Sequence, residues 1–555
     1  AFNTVDHSIL LAVSNILPEL FNCQSSVTGT KMKLLAGLFL TMLSLCDGLK
    51  ILAVLPFPMK SHHIIFNVLL GELMQRGHHL TVYSNSPILT NASNYKHVYV
   101  TTSLEAALDK KLSFDAVKAR INMEAFIRPM GFQLLTKGLS EEFLSLPQVE
   151  KLLASTEKFD VVIMETFFGQ EALIGFGHRF KAPVVTLSSF GTFSLVDSIM
   201  GNPNPLSYFT TYQLAFTSEL TFYQKLKNVI ATMSEHHYSY FHHLPSQEAV
   251  MLKHFQKYEQ SPLPPLVDLL SEIGVVLLNT QPEVSYARAW LPNMVSVGGL
   301  HIPKVKTSHP KEIQTFIDGA EDGIIYFSLG STLSGTSIPD YVRDAFRDAF
   351  SRIPERVIWK IDTTPPGLPP NVMVVAWTQQ SDILADPKCK AFITHAGLLS
   401  LLEAVHFAVP LIGVPVFADQ PWNMVKAEQA KIGVHLNILN ISTDYVSWAL
   451  EEILHNPVYK RNMDQLSAQM RDRLVSPLDT AAYWVEYVAK HQGAPQLRSP
   501  ARHMSSFRYL LVDVVLFLLA VTLLFILALY FLLRKIYKLA KYLFTTTMGN
   551  KIKTE

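Results

Sequence analysis

The chain has little cysteine: three residues among 555, at positions 23, 46 and 389. Cys23 and Cys46 fall in an N-terminal stretch that reads as a leader, so the mature chain is expected to keep Cys389 alone. No intrachain disulfide is then available, and stability rests on packing. Charge is also scarce. Lysine, arginine, aspartate and glutamate make up 17% of the residues against 49% hydrophobic ones, and the formal net charge is +1. Without a basic stripe outside the C-terminus, a nucleic-acid partner is not expected. The G-x-G-x-x-G turn of dinucleotide sites is missing as well, which disfavours a nicotinamide enzyme. The histidine pairs His236-His237 and His242-His243 lack both cysteine partners and zinc-ligand spacing, so no metal is expected.

What is present organises the chain from both ends. Met32 and Lys33 open an apolar run, Leu34 to Leu45, that closes in small or polar residues. This is the layout of a secretory signal, with translation starting at Met32, cleavage near Gly48 and residues 1–31 upstream and unassigned. Val514 to Leu533 carries no charge and is followed by Arg534, Lys535, Lys538 and Lys541. The segment 510–533 therefore reads as a transmembrane helix with a short cytoplasmic tail at 534–555. The tail ends Lys551-Ile552-Lys553-Thr554-Glu555, a dilysine pattern resembling an endoplasmic reticulum retrieval signal. The expectation is a single-pass endoplasmic reticulum membrane protein with its bulk in the lumen. Asn91-Ala92-Ser93 and Asn440-Ile441-Ser442 are glycosylation acceptors that such a location permits.

Between these ends, short apolar strands alternate with helical stretches. Lys50–Leu55, a helix with Ser61 as N-cap and Gly77 as its stop, and Leu80–Ser84 make a βαβ unit. Phe159–Met164 and Val184–Leu187 extend it. A second series, Gly323–Leu329, Val357–Ile361, Val372–Trp377, Ala391–Thr394 and Leu411–Val414, follows from about residue 296. Two doubly wound α/β domains, 49–295 and 296–495, are expected to face one another across a cleft that holds ligands at the carboxyl ends of the strands.

The most informative stretch is Trp377 to Gln420. Strand Ala391–Thr394 runs through His395-Ala396-Gly397 into the helical spacing of Leu398 to Val405. Such a strand–turn–helix offers free N–H groups and a dipole end to an anion. Trp377, Gln380, Asp382, His395, Gly397, Glu403, Pro410, Pro415, Asp419 and Gln420 stand at the offsets of the signature of the UDP-glycosyltransferases, which the chain resembles from about Leu49 to 495. FSLGS at Phe327–Ser331, GGLH at Gly298–His301, the Phe57-Pro58 and Ser61-His62 pieces, the single span and the dilysine tail make it similar to insect-type membrane-bound members.

The resemblance implies a GT-B fold, an N-terminal acceptor domain, a C-terminal UDP-sugar domain and no required metal or cofactor, the UDP-sugar being a co-substrate. It implies donor contacts from Ser331, Trp377, Gln380, His395, Gly397, Ser400, Glu403, Asp419 and Gln420. The chemistry suits them: a diphosphate on the His395 turn, ribose hydroxyls on Glu403, uracil on the Trp377 face, and sugar hydroxyls on Asp419 and Gln420. His62 matches the catalytic histidine, a base for the acceptor hydroxyl, with His63 its unresolved neighbour. The carboxylate that orients it is expected to be Glu165, where vertebrate members have aspartate, or Glu171, where the resemblance to insect members implies an acid. Ala396 replaces the second glycine of H-G-G, and Gln379 replaces proline in W-x-P-Q. The resulting expectation is an inverting transfer of a hexose, glucose before glucuronic acid, to a small lipophilic acceptor, as in detoxification. The alternative is an inactive lumenal binding protein with the same fold. A homo-oligomer stays open.

Overall fold

The computed structural model describes residues 48–109, 115, 119, 128–212, 214–303, 309–330 and 338–551. The segments 1–31 and 32–47, Ser331 and the tail residues 552–555 lie outside them. Two parallel sheets dominate. The first contains β1 (Lys50–Leu55), β2 (His79–Ser84), β3 (Tyr95–Tyr99), β4 (Val161–Met164), β5 (Val184–Ser188), β6 (Val275–Leu278) and β7 (Met294–Ser296). Their spatial order is β3-β2-β1-β4-β5-β6-β7. The second contains β8 (Ile324–Ser328), β9 (Arg356–Lys360), β10 (Val372–Val375), β11 (Cys389–Thr394), β12 (Leu411–Gly413) and β13 (Gly433–His435), in the order β10-β9-β8-β11-β12-β13. Central strands such as β1, β4 and β8 are buried on both faces, which is why they read as unbroken apolar runs.

Both sheets reverse their winding direction once, between β1 and β4 and between β8 and β11. At such a reversal the loops leave in opposite directions and open a crevice at the carboxyl ends of the strands. The register Val54↔Met164 brings the residues after β1 and β4 to one rim, and Thr394↔Ser328 does the same after β11 and β8.

Helix α1 (Lys60–Gln75) starts one residue earlier than the expected Ser61 cap. The Met59 carbonyl accepts from the N–H groups of His62 and His63 at 3.0 and 3.2 Å, so Ser61 sits inside the first turn and caps nothing. Ile65, Phe66, Leu69, Leu70 and Leu73 bury its inner face, each contributing about 1.5–3 kcal/mol. Gly77, with φ +89°, closes it as expected: Gly77 N–H reaches the Met74 carbonyl and His78 N–H the Leu73 carbonyl.

Six further helices matter below: α2 (Ser194–Met200), α3 (Phe222–Tyr238), α4 (Leu398–His406), α5 (Gln420–Gln429), α6 (Pro477–Lys490) and α7 (Val512–Lys551). Although α6 follows the second sheet in sequence, it packs against α1 and the first sheet. Ala481, Ala482, Val485 and Val488 join Ile51, Ala53 and Leu69 in one core. Arg76 at the end of α1 pairs with Asp479 and Glu486 on α6 at 2.8 and 3.4 Å. Helix α7 begins at Val512, and its segment Val512–Thr546 is long and apolar enough to cross a membrane, with its side chains exposed.

Candidate active site

The first rim carries a buried acid–base pair. His62 lies in the first turn of α1 and Glu165 directly after β4, so the β1–β4 pairing brings them together. His62 Nδ1 is 2.6 Å from Glu165 Oε2. The second carboxylate oxygen accepts from the Ser189 hydroxyl at 2.9 Å and from the Ser189 N–H at 3.4 Å. Ser189 Oγ also lies 2.9 and 3.2 Å from the two ring nitrogens of His62. Phe57, Phe168 and Phe190 surround the imidazole, with ring centroids 4.7, 5.9 and 5.7 Å away. Phe168 adopts φ +66°, a left-handed conformation that costs a non-glycine residue roughly 1–2 kcal/mol.

The other two expected candidates on this side part company with the pair. Glu171, in the turn Glu171–Ile174, is buried and meets His243 Nε2 at 3.0 Å. Burial disfavours the charged imidazole of His243, but the Glu171 carboxylate and its hydrogen bond outweigh this and raise its pKa. His63 is buried, and desolvation followed by the neighbouring His62 pushes its pKa down to about 4, leaving it neutral. His237 and His242 are exposed, with ring centroids 6.2 Å apart, while His243 turns inward toward Glu171.

The second rim gathers most of the expected donor residues. The His395 ring is wedged between two glycines: a Cβ on Gly330 or on Gly397 would meet His395 Nε2 at 2.8 Å. Gly330 has φ +81°, a conformation that also favours glycine. Desolvation and the nearby Lys360 ammonium push His395 down to about 4, which leaves the ring neutral with a single N–H donor. Gly397 is the N-cap of α4, whose first-turn N–H groups have no intrahelical partners, and the first of them, on Leu398, donates a hydrogen bond to Asp419. Ala396 takes φ +62° in place of a glycine, with its N–H donating to Thr394 Oγ1 at 3.2 Å and its carbonyl accepting from Asn423 Nδ2 at 2.9 Å.

Around this turn, Gln380 Nε2 donates to Ser400 Oγ at 3.0 Å and Glu403 Oε2 at 2.6 Å. Glu403 Oε1 lies 3.3 Å from His301 Nε2. Trp377 is 62% exposed, and Lys360 Nζ lies over its ring at 4.2 Å. Ser331 lies outside the described residues.

Asp419 and Gln420 open α5 and differ in character. Gln420 Oε1 accepts from the N–H groups of Val416 and Phe417 at 2.8 and 3.1 Å, so its carbonyl end holds the loop. Asp419 is buried and accepts from Asn423 Nδ2 at 2.7 Å. Desolvation raises its pKa to about 6 despite that bond and the charge of His62 across the cleft. A cavity of about 50 Å³, room for a few waters, lies between the halves and is lined by Phe168, Phe190, Phe193, Trp290, Leu398 and Asp419.

Ser189, His301, Lys360 and Asn423 are site residues that sequence reasoning passed over. His301 stands in the quoted GGLH piece, and Asn423 is one helical turn beyond Asp419. Ser189 follows β5, the neighbour of β4, so strand order was the signal for it.

Comparison with known proteins bears on the family and the fold. The family model described as "UDP-glucoronosyl and UDP-glucosyl transferase" matches residues 52–551. The chain is 35% identical to UDP-glycosyltransferase UGT5 of Dactylopius coccus, covering 89% of this chain and 94% of that protein. It is 30% identical to UDP-glucuronosyltransferase 2C1 of Oryctolagus cuniculus, covering 83% and 93%. Among solved structures it superposes on CalG4, the calicheamicin glycosyltransferase, with a TM-score of 0.53, 17% identity and coverage of 80% of this chain and 99% of that one. The glycotransferase of kitacinnamycin gives the same TM-score at 16% identity, with the same coverage. The shared fold is the GT-B arrangement of two Rossmann-like units.

Proposed function

Because the chain belongs to the UDP-glucoronosyl and UDP-glucosyl transferase family, we propose that it transfers a hexose, glucose in the first place, from a UDP-sugar to a hydroxyl of a small lipophilic acceptor. The observation that carries this reading is the His62–Glu165 pair on one rim, facing Asp419 and the His395 turn on the other. With its Nδ1 proton donated to Glu165, the imidazole keeps a lone pair on Nε2 for the acceptor hydroxyl. The acceptor oxygen bonds to C1 of the sugar as the C1–O bond to phosphate breaks, with inversion. The proton passes to Nε2, and UDP leaves with the electron pair toward the N–H groups of α4.

In this reading Trp377 stacks on uracil, Glu403 accepts from the ribose and Asp419 holds sugar hydroxyls. Gln380, itself held by Ser400, and His301 fix Glu403, and Gln420 fixes the loop that presents Asp419. The aromatic lining of the cavity suits an apolar acceptor, which needs the cavity to widen on entry. The apolar helix α7 as an anchor and the dilysine tail support placement in the endoplasmic reticulum membrane with both sheets lumenal. The UDP-sugar is consumed as a co-substrate, and no cofactor or metal is invoked.

Microsomes carrying the full chain, given a panel of labelled UDP-sugars with a fixed phenol, should form one glycoside, fastest from UDP-glucose. A faster rate with UDP-glucuronic acid would replace the sugar assignment. Tight UDP-sugar binding without any glycoside would favour a lumenal binding protein instead.

A further inference from the structure

Helix α3 is inside out for a helix on a water-soluble surface. Its buried side carries Asn228, Thr232 and Glu235, together with Ala231. Its outward side carries Phe222, Leu226, Ile230 and Met233, spaced four, four and three residues apart, which places them on one stripe. Phe222 is 81% exposed and Met233 65%. Tyr223 broadens the stripe, and Lys227 Nζ caps its ring at 4.7 Å. Lys225 and Lys227 flank the apolar residues, as in helices that lie in a membrane interface.

The polar inner side is not a packing accident. Asn228 Nδ2 donates to the carbonyls of Leu206 and Phe209 at 3.0 and 2.9 Å, and its Oδ1 accepts from Thr211 N–H at 3.1 Å. Phe209 and Thr211 line the cavity between the two halves. The helix therefore holds the wall of the cavity with one side and shows hydrocarbon to the outside with the other.

The position of the stripe indicates what covers it. The turn Pro500–His503, just before α7, presses on the end of α2: a Cβ on Gly201 would meet Arg502 N at 2.5 Å. Helix α2 in turn packs on α3, with Ser198 Oγ 2.9 Å from Tyr240 OH just beyond it. The chain thus leaves the folded body beside α3 and enters the apolar run of α7 within a few residues. We propose that the outward stripe of α3 lies in the membrane that α7 crosses, seating the cavity side of the first domain on the lipid surface. This rests on the reading of α7 as a membrane span.

The test uses the full chain in nanodiscs of phosphatidylcholine bearing a diazirine on its acyl chain, irradiated and analysed by peptide mass spectrometry. Lipid adducts are expected in 222–233 as well as in 512–546. In the double variant Ile230→Glu/Met233→Glu, whose side chains are exposed and leave the core intact, adducts in 222–233 should fall at least fivefold while those in 512–546 persist. Adducts in 512–546 with 222–233 labelled no more than the solvent-facing helix 340–350 would overturn the proposal and leave the span. No adducts in either segment would overturn both readings. Adducts absent from 222–233 in nanodiscs whose mass shows two copies of the chain would reassign the stripe to a dimer face.

Discussion

Glu165 Oε2 lies 2.6 Å from His62 Nδ1, whereas Glu171, six residues further along the chain, is turned away and bound to His243. Two glutamates that are equivalent candidates in the sequence therefore hold two different histidines, and only one of these faces the cleft.

His62→Ala should lower transfer by roughly 10²–10⁴-fold, the usual contribution of a positioned base. UDP binding measured by calorimetry should stay within about twofold, because the donor contacts belong to the other sheet. Transfer at the wild-type rate would remove His62 from the chemistry.

Glu165→Gln should lower kcat by about 10²-fold or more, since an amide cannot stabilise the imidazolium that forms. Glu171→Gln should leave kcat nearly unchanged. Steady-state rates of the two variants, measured side by side, decide between the carboxylates, and the reverse order would exchange their roles.

Gly330→Ala and Gly397→Ala each place a methyl 2.8 Å from His395 Nε2 and must push the ring aside. About tenfold weaker UDP-sugar binding, or ~1.4 kcal/mol, is expected for either, seen as a raised donor KM. The acceptor KM should not move.

His243→Gln keeps a donor for Glu171 but removes the charge. The pKa of His243 is raised above its ordinary 6.5 in the folded protein. Its charge therefore stabilises fully below pH 6.5, and that contribution is lost as pH rises through the raised value. The variant's apparent unfolding midpoint should fall most near pH 6, by the equivalent of about 1–2 kcal/mol, and approach wild type near pH 9. A gap that widens with pH would show that the pair is not charged in this sense.

Strands buried on both faces were the most legible part of the fold. β1 is read to its exact ends, and β4, β8 and β11 to within a few residues, because a parallel strand covered on both sides must be apolar throughout. β3, β6, β7 and β13 were not read. β3, β7 and β13 are sheet edges, short or half-exposed, and carry no continuous apolar signal. β6 is buried throughout, but an apolar run of four residues does not by itself distinguish a strand from buried helix. In the site, side chains within one motif are recoverable from spacing, as Gln380, Ser400 and Glu403 show by hydrogen-bonding in one cluster. The choice between Glu165 and Glu171 was not, because it depends on strand register and on the turn at Phe168-Gly169, both with positive φ, which sends Glu171 to the other side. Ser189 was invisible for the same reason: only the β4–β5 pairing makes it a neighbour of Glu165.

Helix α6 sets an order on the birth of the molecule. Its Ala481, Ala482, Val485 and Val488 complete the core beneath β1, and Arg76 finds two of its carboxylate partners only at Asp479 and Glu486. A chain made from its N-terminus has the strands of the first sheet long before this cover exists. Until residues 477–490 emerge, an apolar face of that sheet stays open, so the half that is synthesised first is sealed last. Such long-range closure is slow, and it exposes the nascent first domain to chaperones for most of its synthesis.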